Sequence, residues 1–182
     1  VLEPTGTLHG HNNEATVFLL RTLLRNETFR EDFIRRFSDL LNSTFETGRV
    51  RRFIAAMAAE IAPEMQEHLR RWRAPSTMAE WDRQVQLLRT FADLRPRHVR
   101  DHLRARFSLG NDARLTLAVS HAEAGSLRCN SLGGLAATGE PWTGIYFRGQ
   151  TLEVAAEPRT PHVARLVGLN LVPDGDDLIA FT

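Results

Sequence analysis

The chain has 182 residues, 42% of them hydrophobic, which suffices for a packed core in one large domain or two small ones. Its 23 basic residues, all arginine, stand against 22 acidic ones, and this near balance argues against nucleic-acid binding, which needs a clustered basic surface. No lysine occurs, which removes the ammonium point charge on which phosphoryl-transfer sites ordinarily rely.

Residues 1–12 (VLEPTGTLHGHN) carry proline, glycine and no apolar period, and read as a leading linker. Asn13 can cap a first helix running to Arg25, with Val17, Leu20 and Leu24 on one face and Leu19 and Leu23 widening it. Asn26 then interrupts. A second helix is predicted from Thr28 to Phe45, because Phe29, Phe33, Phe37 and Leu41 recur every fourth residue as one apolar stripe. Gly48 reads as the end of that helix or of the turn after it. A third helix from Arg49 would turn Val50, Phe53, Ile54, Met57 and Ile61 inward, with a kink or restart at Pro63 before Met65, Leu69 and Trp72.

Arg73 to Ser76 reads as a turn. Thr77 and Glu80 form the capping-box pattern for a fourth helix with Met78, Trp81, Val85, Leu88 and Ala92 on one face. Pro96 fits the first position of a last helix, whose inward residues would be Val99, Leu103 and Phe107. Beyond Phe107 the period drops to two, since Leu115, Leu117 and Val119 alternate with Thr116 and Ala118, and Gly125 to Gly134 reads as turn chemistry. The expected architecture is therefore α+β: an N-terminal helical bundle over 1–108, then a small β-rich domain over 109–182, the boundary falling at Ser108 to Asp112. The first part carries 18 arginines against 14 acids and the second 5 against 8, so the two should attract weakly.

Three ordered blocks carry a resemblance: "LLRN..FREDF..RF.DLLN..F", then "PEM..HLRRW", then a Trp-containing helix ending "F..LRP..VR.HL...F". Together they resemble the C-terminal region of the spore coat protein H (CotH) kinase family, over roughly residues 11 to 108. The resemblance implies kinase-like C-lobe helices whose nucleotide-binding lobe and metal-binding aspartates lie upstream. It also implies ATP and a divalent metal as cofactors of the whole protein, serine or threonine of coat or cell-surface proteins as its target, and an extracellular, cell-surface or spore-coat location. The run Trp142, Gly144, Tyr146, Phe147, Gly149, Leu152, Val154, Ala156, Pro158 resembles a small β-rich accessory module of bacterial secreted proteins. That module continues with an aromatic "G..F..W", where this chain has PHVARLVGL.

Single Cys129 excludes an internal disulfide, and with only Arg128 beside it the thiol reads as a small strand residue. Of the seven histidines, only His98 and His102 fall on one helical face, and no third ligand accompanies them. His9, His11 and His68 read as isolated. Gly133-Gly134 lacks a following lysine and reads as a turn, as does Asp174 to Asp177, which lacks the alternate ligands of a calcium loop. No residue is therefore assigned to catalysis, cofactor or metal. The surface candidates are the basic-aromatic cluster Arg70, Arg71, Trp72 and Arg73 and the aromatic group Trp142, Tyr146 and Phe147. For the first, the functional reading has the guanidinium groups hold an acidic substrate or phosphate with Trp72 as a stacking surface, whereas the favoured structural reading makes Trp72 a core anchor and pairs Arg71 with a carboxylate on a neighbouring helix; Arg95 would satisfy carbonyls ending the fourth helix. For the second, exposure would favour a protein- or carbohydrate-binding module and burial a structural one.

The sequence shows no signal-peptide pattern and no apolar run near the ~18 residues of a membrane span, so an export signal is expected in a part of the protein upstream of it. A start at Val1 without methionine predicts a piece cut from a longer protein, whose upstream kinase lobe would be its principal partner.

Overall fold

The structure, a computed structural model, describes residues 14–159 and 178–181. The expected linker, the Asn13 cap, His9, His11, HVARLVGL and Asp174 to Asp177 lie outside the described residues. The arrangement is α+β, with five α-helices before six strands among the described residues.

Helix α1 (Glu14–Leu23) leads to Leu24, which is buried, while Leu19 and Leu23 face solvent instead of widening the apolar face. Asn26 caps α2 (Glu27–Leu41) by accepting the Phe29 amide at 3.0 Å. The aromatic stripe packs as expected: Phe33 lies 5.7 Å from Phe37 and 6.0 Å from Phe107, ring centre to ring centre. The helix ends at Leu41, short of Phe45, and Gly48 does not stop it. Gly48 is instead the second residue of α3 (Thr47–Ile61), where Glu46 accepts both its amide, at 2.7 Å, and that of Arg49, at 2.6 Å. A side-chain cap thus starts a helix where glycine suggested an end.

The inward stripe expected of α3 is overturned, because none of its residues is buried and Phe53 is 66% exposed. Pro63 sits in a 3-10 turn (Ala62–Glu64) that restarts the chain as α4 (Met65–Trp72), closed by Arg73 in the left-handed region. Thr77 caps α5 (Met78–Phe107) through the Glu80 amide, while the Glu80 carboxylate reaches back to the backbone and hydroxyl of Ser76 at 2.8 and 2.7 Å.

Pro96 begins no new helix: α5 runs 30 residues straight through it. Proline has no amide hydrogen to give the carbonyl four residues back, which leaves the Ala92 carbonyl without its helical donor. The Thr47 hydroxyl at the start of α3 donates to that carbonyl at 3.3 Å. A partner from another helix so compensates the defect, and Pro96 itself is buried.

The strands are β1 (Asp112–Val119), β2 (Gly125–Cys129), β3 (Leu132–Leu135), β4 (Trp142–Phe147), β5 (Val154–Pro158) and β6 (Leu178–Phe181). Gly125 to Gly134, expected as turn, therefore holds most of a hairpin. One sheet has the order β4-β1-β6, with β1 antiparallel to β4 (Leu115 opposite Gly144) and parallel to β6 (Leu117 opposite Ile179). The other, β3-β2-β5, is antiparallel, with Leu127 opposite Ala156. Alternate residues Leu115, Leu117, Leu127 and Cys129, with Leu135 and Tyr146, meet between the sheets as a buried core. The Trp142 ring lies across Gly144, where any Cβ would collide with it. A second core joins Ile34 and Leu41 of α2, Leu103 of α5 and Phe147 of β4, so helices and sheets share apolar contacts across residue 108.

Replacing Thr47 by Val should cost about 1 kcal/mol by stranding the Ala92 carbonyl. In a Pro96→Ala background, where the helical donor returns, the same change should be near neutral. Denaturant unfolding of the four-member cycle measures that coupling, and additivity would refute the assignment.

Candidate functional site

The last turn of α2 and the residue that caps it carry two polar side chains three apart, Asp39 and Asn42, on the side that meets the sheets. Asp39 is 1% exposed. Its Oδ1 accepts from Asn130 Nδ2 at 3.0 Å and from the Tyr146 hydroxyl at 3.1 Å. Its Oδ2 accepts from the Ser131 amide at 3.0 Å and the Ser131 hydroxyl at 2.6 Å. Four donors from the β2–β3 turn and from β4 thus converge on one carboxylate, as a group removed from water demands.

Asn42 lies one helical turn on and binds the outer edge of β4. Its Nδ2 donates to the Ile145 carbonyl at 2.8 Å and its Oδ1 accepts the Ile145 amide at 2.9 Å, so one side-chain amide takes the place of a neighbouring strand. Asn130, in the left-handed region that asparagine tolerates, gives its backbone amide to the Glu153 carbonyl at 2.7 Å and accepts the Glu153 amide at 2.8 Å. Arg35 of α2 pairs with the Glu153 carboxylate at 2.7 Å, and Arg36 donates to the Ser131 hydroxyl.

Burial, more than any neighbour, pushes the Tyr146 phenol well above its ordinary range, and Cys129 and Asp39 push it the same way. Burial likewise raises the Cys129 thiol; its bond to the Tyr146 hydroxyl, at 3.5 Å, opposes the rise and the Asp39 charge adds to it. Neither group is a nucleophile or a base at neutral pH. The arrangement holds α2, the β2–β3 turn and β4 together.

Beside this network, α2, the end of α5 and the β4–β5 turn enclose a cleft of about 370 Å³, lined by Ile34 and Phe107 and rimmed by Arg30, Arg35 and Arg148. Its guanidinium groups are engaged: Arg30 with Glu27 at 3.4 Å, and Arg35 with both Asp32 and Glu153. Arg148 also has interactions of its own.

The surface candidates divide. Arg70, Arg71, Trp72 and Arg73 do cluster at the end of α4, far in sequence from the Asp39 network. Trp72 is 62% exposed, which corrects its expected place as a core anchor. The short α4 buries only Met65, and the Arg71 guanidinium lies 5.1 Å over the Trp72 ring instead of meeting a carboxylate on another helix. Arg70 pairs with Glu67 of its own helix at 2.5 Å, and Arg95 lies 5.6 Å over Phe91. Tyr146 and Phe147 are buried and Trp142 is half-buried against the sandwich core, so this group is not a surface. Consecutive strand residues point to opposite faces, and β4 has packing on both: Tyr146 enters the sandwich, while Phe147 enters the core shared with the helices. His98 and His102 are both exposed on α5. Among the described residues no three His, Cys, Asp or Glu side chains gather as metal ligands, and no helix is long and apolar enough to cross a membrane.

Sequence reading missed Asp39, Asn42, Asn130 and Ser131. Asp39 and Asn42 were nonetheless visible in the "DLLN" block, as two polar residues at helical spacing beside an apolar stripe.

Asp39→Ala would leave buried donors on Asn130, Ser131 and Tyr146 and should lower unfolding stability by roughly 2–5 kcal/mol; a loss under 1 kcal/mol in urea titrations would contradict this account. A phenol and a thiol raised in the folded state stabilise it below their unfolded values and cease to do so as pH climbs. Stability should therefore decline above about pH 9 as Cys129, then Tyr146, are drawn to ionise. Tyr146→Phe should cost about 1 kcal/mol at neutral pH and flatten the decline near pH 10, read as Tm against pH.

No curated protein and no solved structure matches the chain. The family model described as CotH kinase protein matches residues 5–99, which include the whole of α1 to α4 and most of α5. More than half of the chain lies within that match, Asp39 and Asn42 among it, and the chain belongs to the CotH kinase protein family.

Proposed function

We propose that this chain is the C-terminal part of a CotH-like atypical protein kinase, supporting a nucleotide site that an upstream lobe of the same protein supplies. The whole protein would transfer the ATP γ-phosphoryl group to serine or threonine of coat or cell-surface proteins, at the spore coat or outside a bacterial cell. Residues 109–182 would be its β-rich accessory module. One observation carries the supporting role: the buried acid of the matched region, Asp39, is enclosed by four protein donors and has no route to a metal or a substrate.

The residues described do not fit a triphosphate and its divalent metal. The chain has no lysine, and no group of acidic or imidazole side chains converges on one point among the described residues. No catalytic step is therefore assigned to this chain. An aromatic surface for protein or carbohydrate on the β module finds no support, because Tyr146 and Phe147 are buried.

ATP with magnesium or manganese should leave the Tm of this chain unchanged and raise that of a longer form carrying the upstream lobe. A shift in the 182-residue chain itself, or turnover of ATP by it, would contradict the supporting role.

A further inference from the structure

One side of the α3–α5 pair is bare and apolar. Thr47 meets Ala92, and Arg51 of α3 grips Asp93 of α5 at 2.9 and 2.7 Å, which places the start of α3 beside the middle of α5. The chain then returns through α4 to the start of α5, so the two helices run antiparallel. Helical spacing puts Phe53, Met57 and Ile61 on one flank of α3, and Leu88 and Phe91 on the flank of α5 that lies on the same side. The Arg51–Asp93 pair closes the opposite side.

With Phe45, these residues are 45% to 66% exposed. At ~200 Å² for each such side chain they leave roughly 600 Å² of apolar surface in contact with water. A monomer's largest patch seldom exceeds that figure, and a polar rim brings the area to the roughly 800 Å² per partner of a standard interface. A groove of about 300 Å³ between Leu41, Phe45, Val50, Phe91 and Pro96 continues the face at the end where α3 begins.

The charges at the rim are arranged as a dipole. Arg49 and Arg95 stand at the end where α3 begins, beside Glu46, whose carboxylate is taken up by the Gly48 and Arg49 amides, while Glu60 and Glu80 stand at the other. Such a face is complementary to itself. A second copy turned about a two-fold axis in the plane of the face, across the helices, sets Arg49 against its Glu60 and Arg95 against its Glu80. The same rotation carries Ile61 of the second copy towards the groove.

We infer that the apolar side of the α3–α5 pair is a two-fold interface between two copies of this chain. The inference is independent of the kinase reading, since it needs neither nucleotide nor upstream lobe.

Light scattering after size exclusion should give twice the 20.6 kDa chain mass at micromolar concentration. Phe53→Asp with Phe91→Asp should give a monomer of unchanged far-UV circular dichroism, both sites being exposed. Arg49→Glu alone and Glu60→Arg alone should each weaken the dimer roughly tenfold, because like charges then face each other twice. The two together should restore it, and this rescue is a readout that simple misfolding would not produce. A monomer at all concentrations would overturn the proposal. A dimer indifferent to the aspartate pair or to the charge exchange would overturn it equally.

Discussion

A buried carboxylate that takes four hydrogen bonds from two other parts of the chain constrains everything around it. Asp39 cannot keep its donors unless α2, the β2–β3 turn and β4 stay in one mutual position. Nonpolar packing alone tolerates sliding, whereas hydrogen bonds to a desolvated charge do not, because any donor lost leaves a polar atom stranded away from water. Asn42 adds a second fixed point by pairing with the edge of β4. Within the family-matched region, these two side chains tie the helices to strands that lie beyond it.

That tie explains why the helical and β-rich parts share a core. Phe147 packs with Ile34, Leu41 and Leu103, and Arg104 stacks over its ring at 6.0 Å. Arg104 also pairs with Asp101 in its own helix and with Asp112 at the start of β1, so the junction after α5 is held by charge as well as by packing. On this side the helices are covered. On the other, α3 buries no residue at all, and where α5 passes Pro96 the Thr47 hydroxyl reaches across to the Ala92 carbonyl. The helical layer thus has one face satisfied by the sandwich and one that leaves apolar side chains in water.

The polar groups of the Asp39 network find their partners within the network itself. Burial holds the Tyr146 phenol and the Cys129 thiol in their neutral forms at ordinary pH. In space the acid, the phenol and the thiol satisfy one another's hydrogen-bonding needs.

The chain's own order of residues determined the helical half, the strand-rich half and the family, because periodicity, caps and motif spacing are local and are written in neighbouring positions. The Phe29 to Leu41 stripe, the Asn26 and Thr77 positions and the alternation of β1 could all be read that way. Long-range partnership could not. The partner of the carbonyl that Pro96 leaves open is a hydroxyl 49 positions before the proline, and whether Phe53 and Trp72 are covered depended on whether another layer packs there. Tyr146 and Phe147 looked like surface aromatics until β4 was found with packing on both faces. Tertiary structure alone decided these points, because hydrogen-bond satisfaction and burial belong to pairs of distant groups and not to either residue by itself.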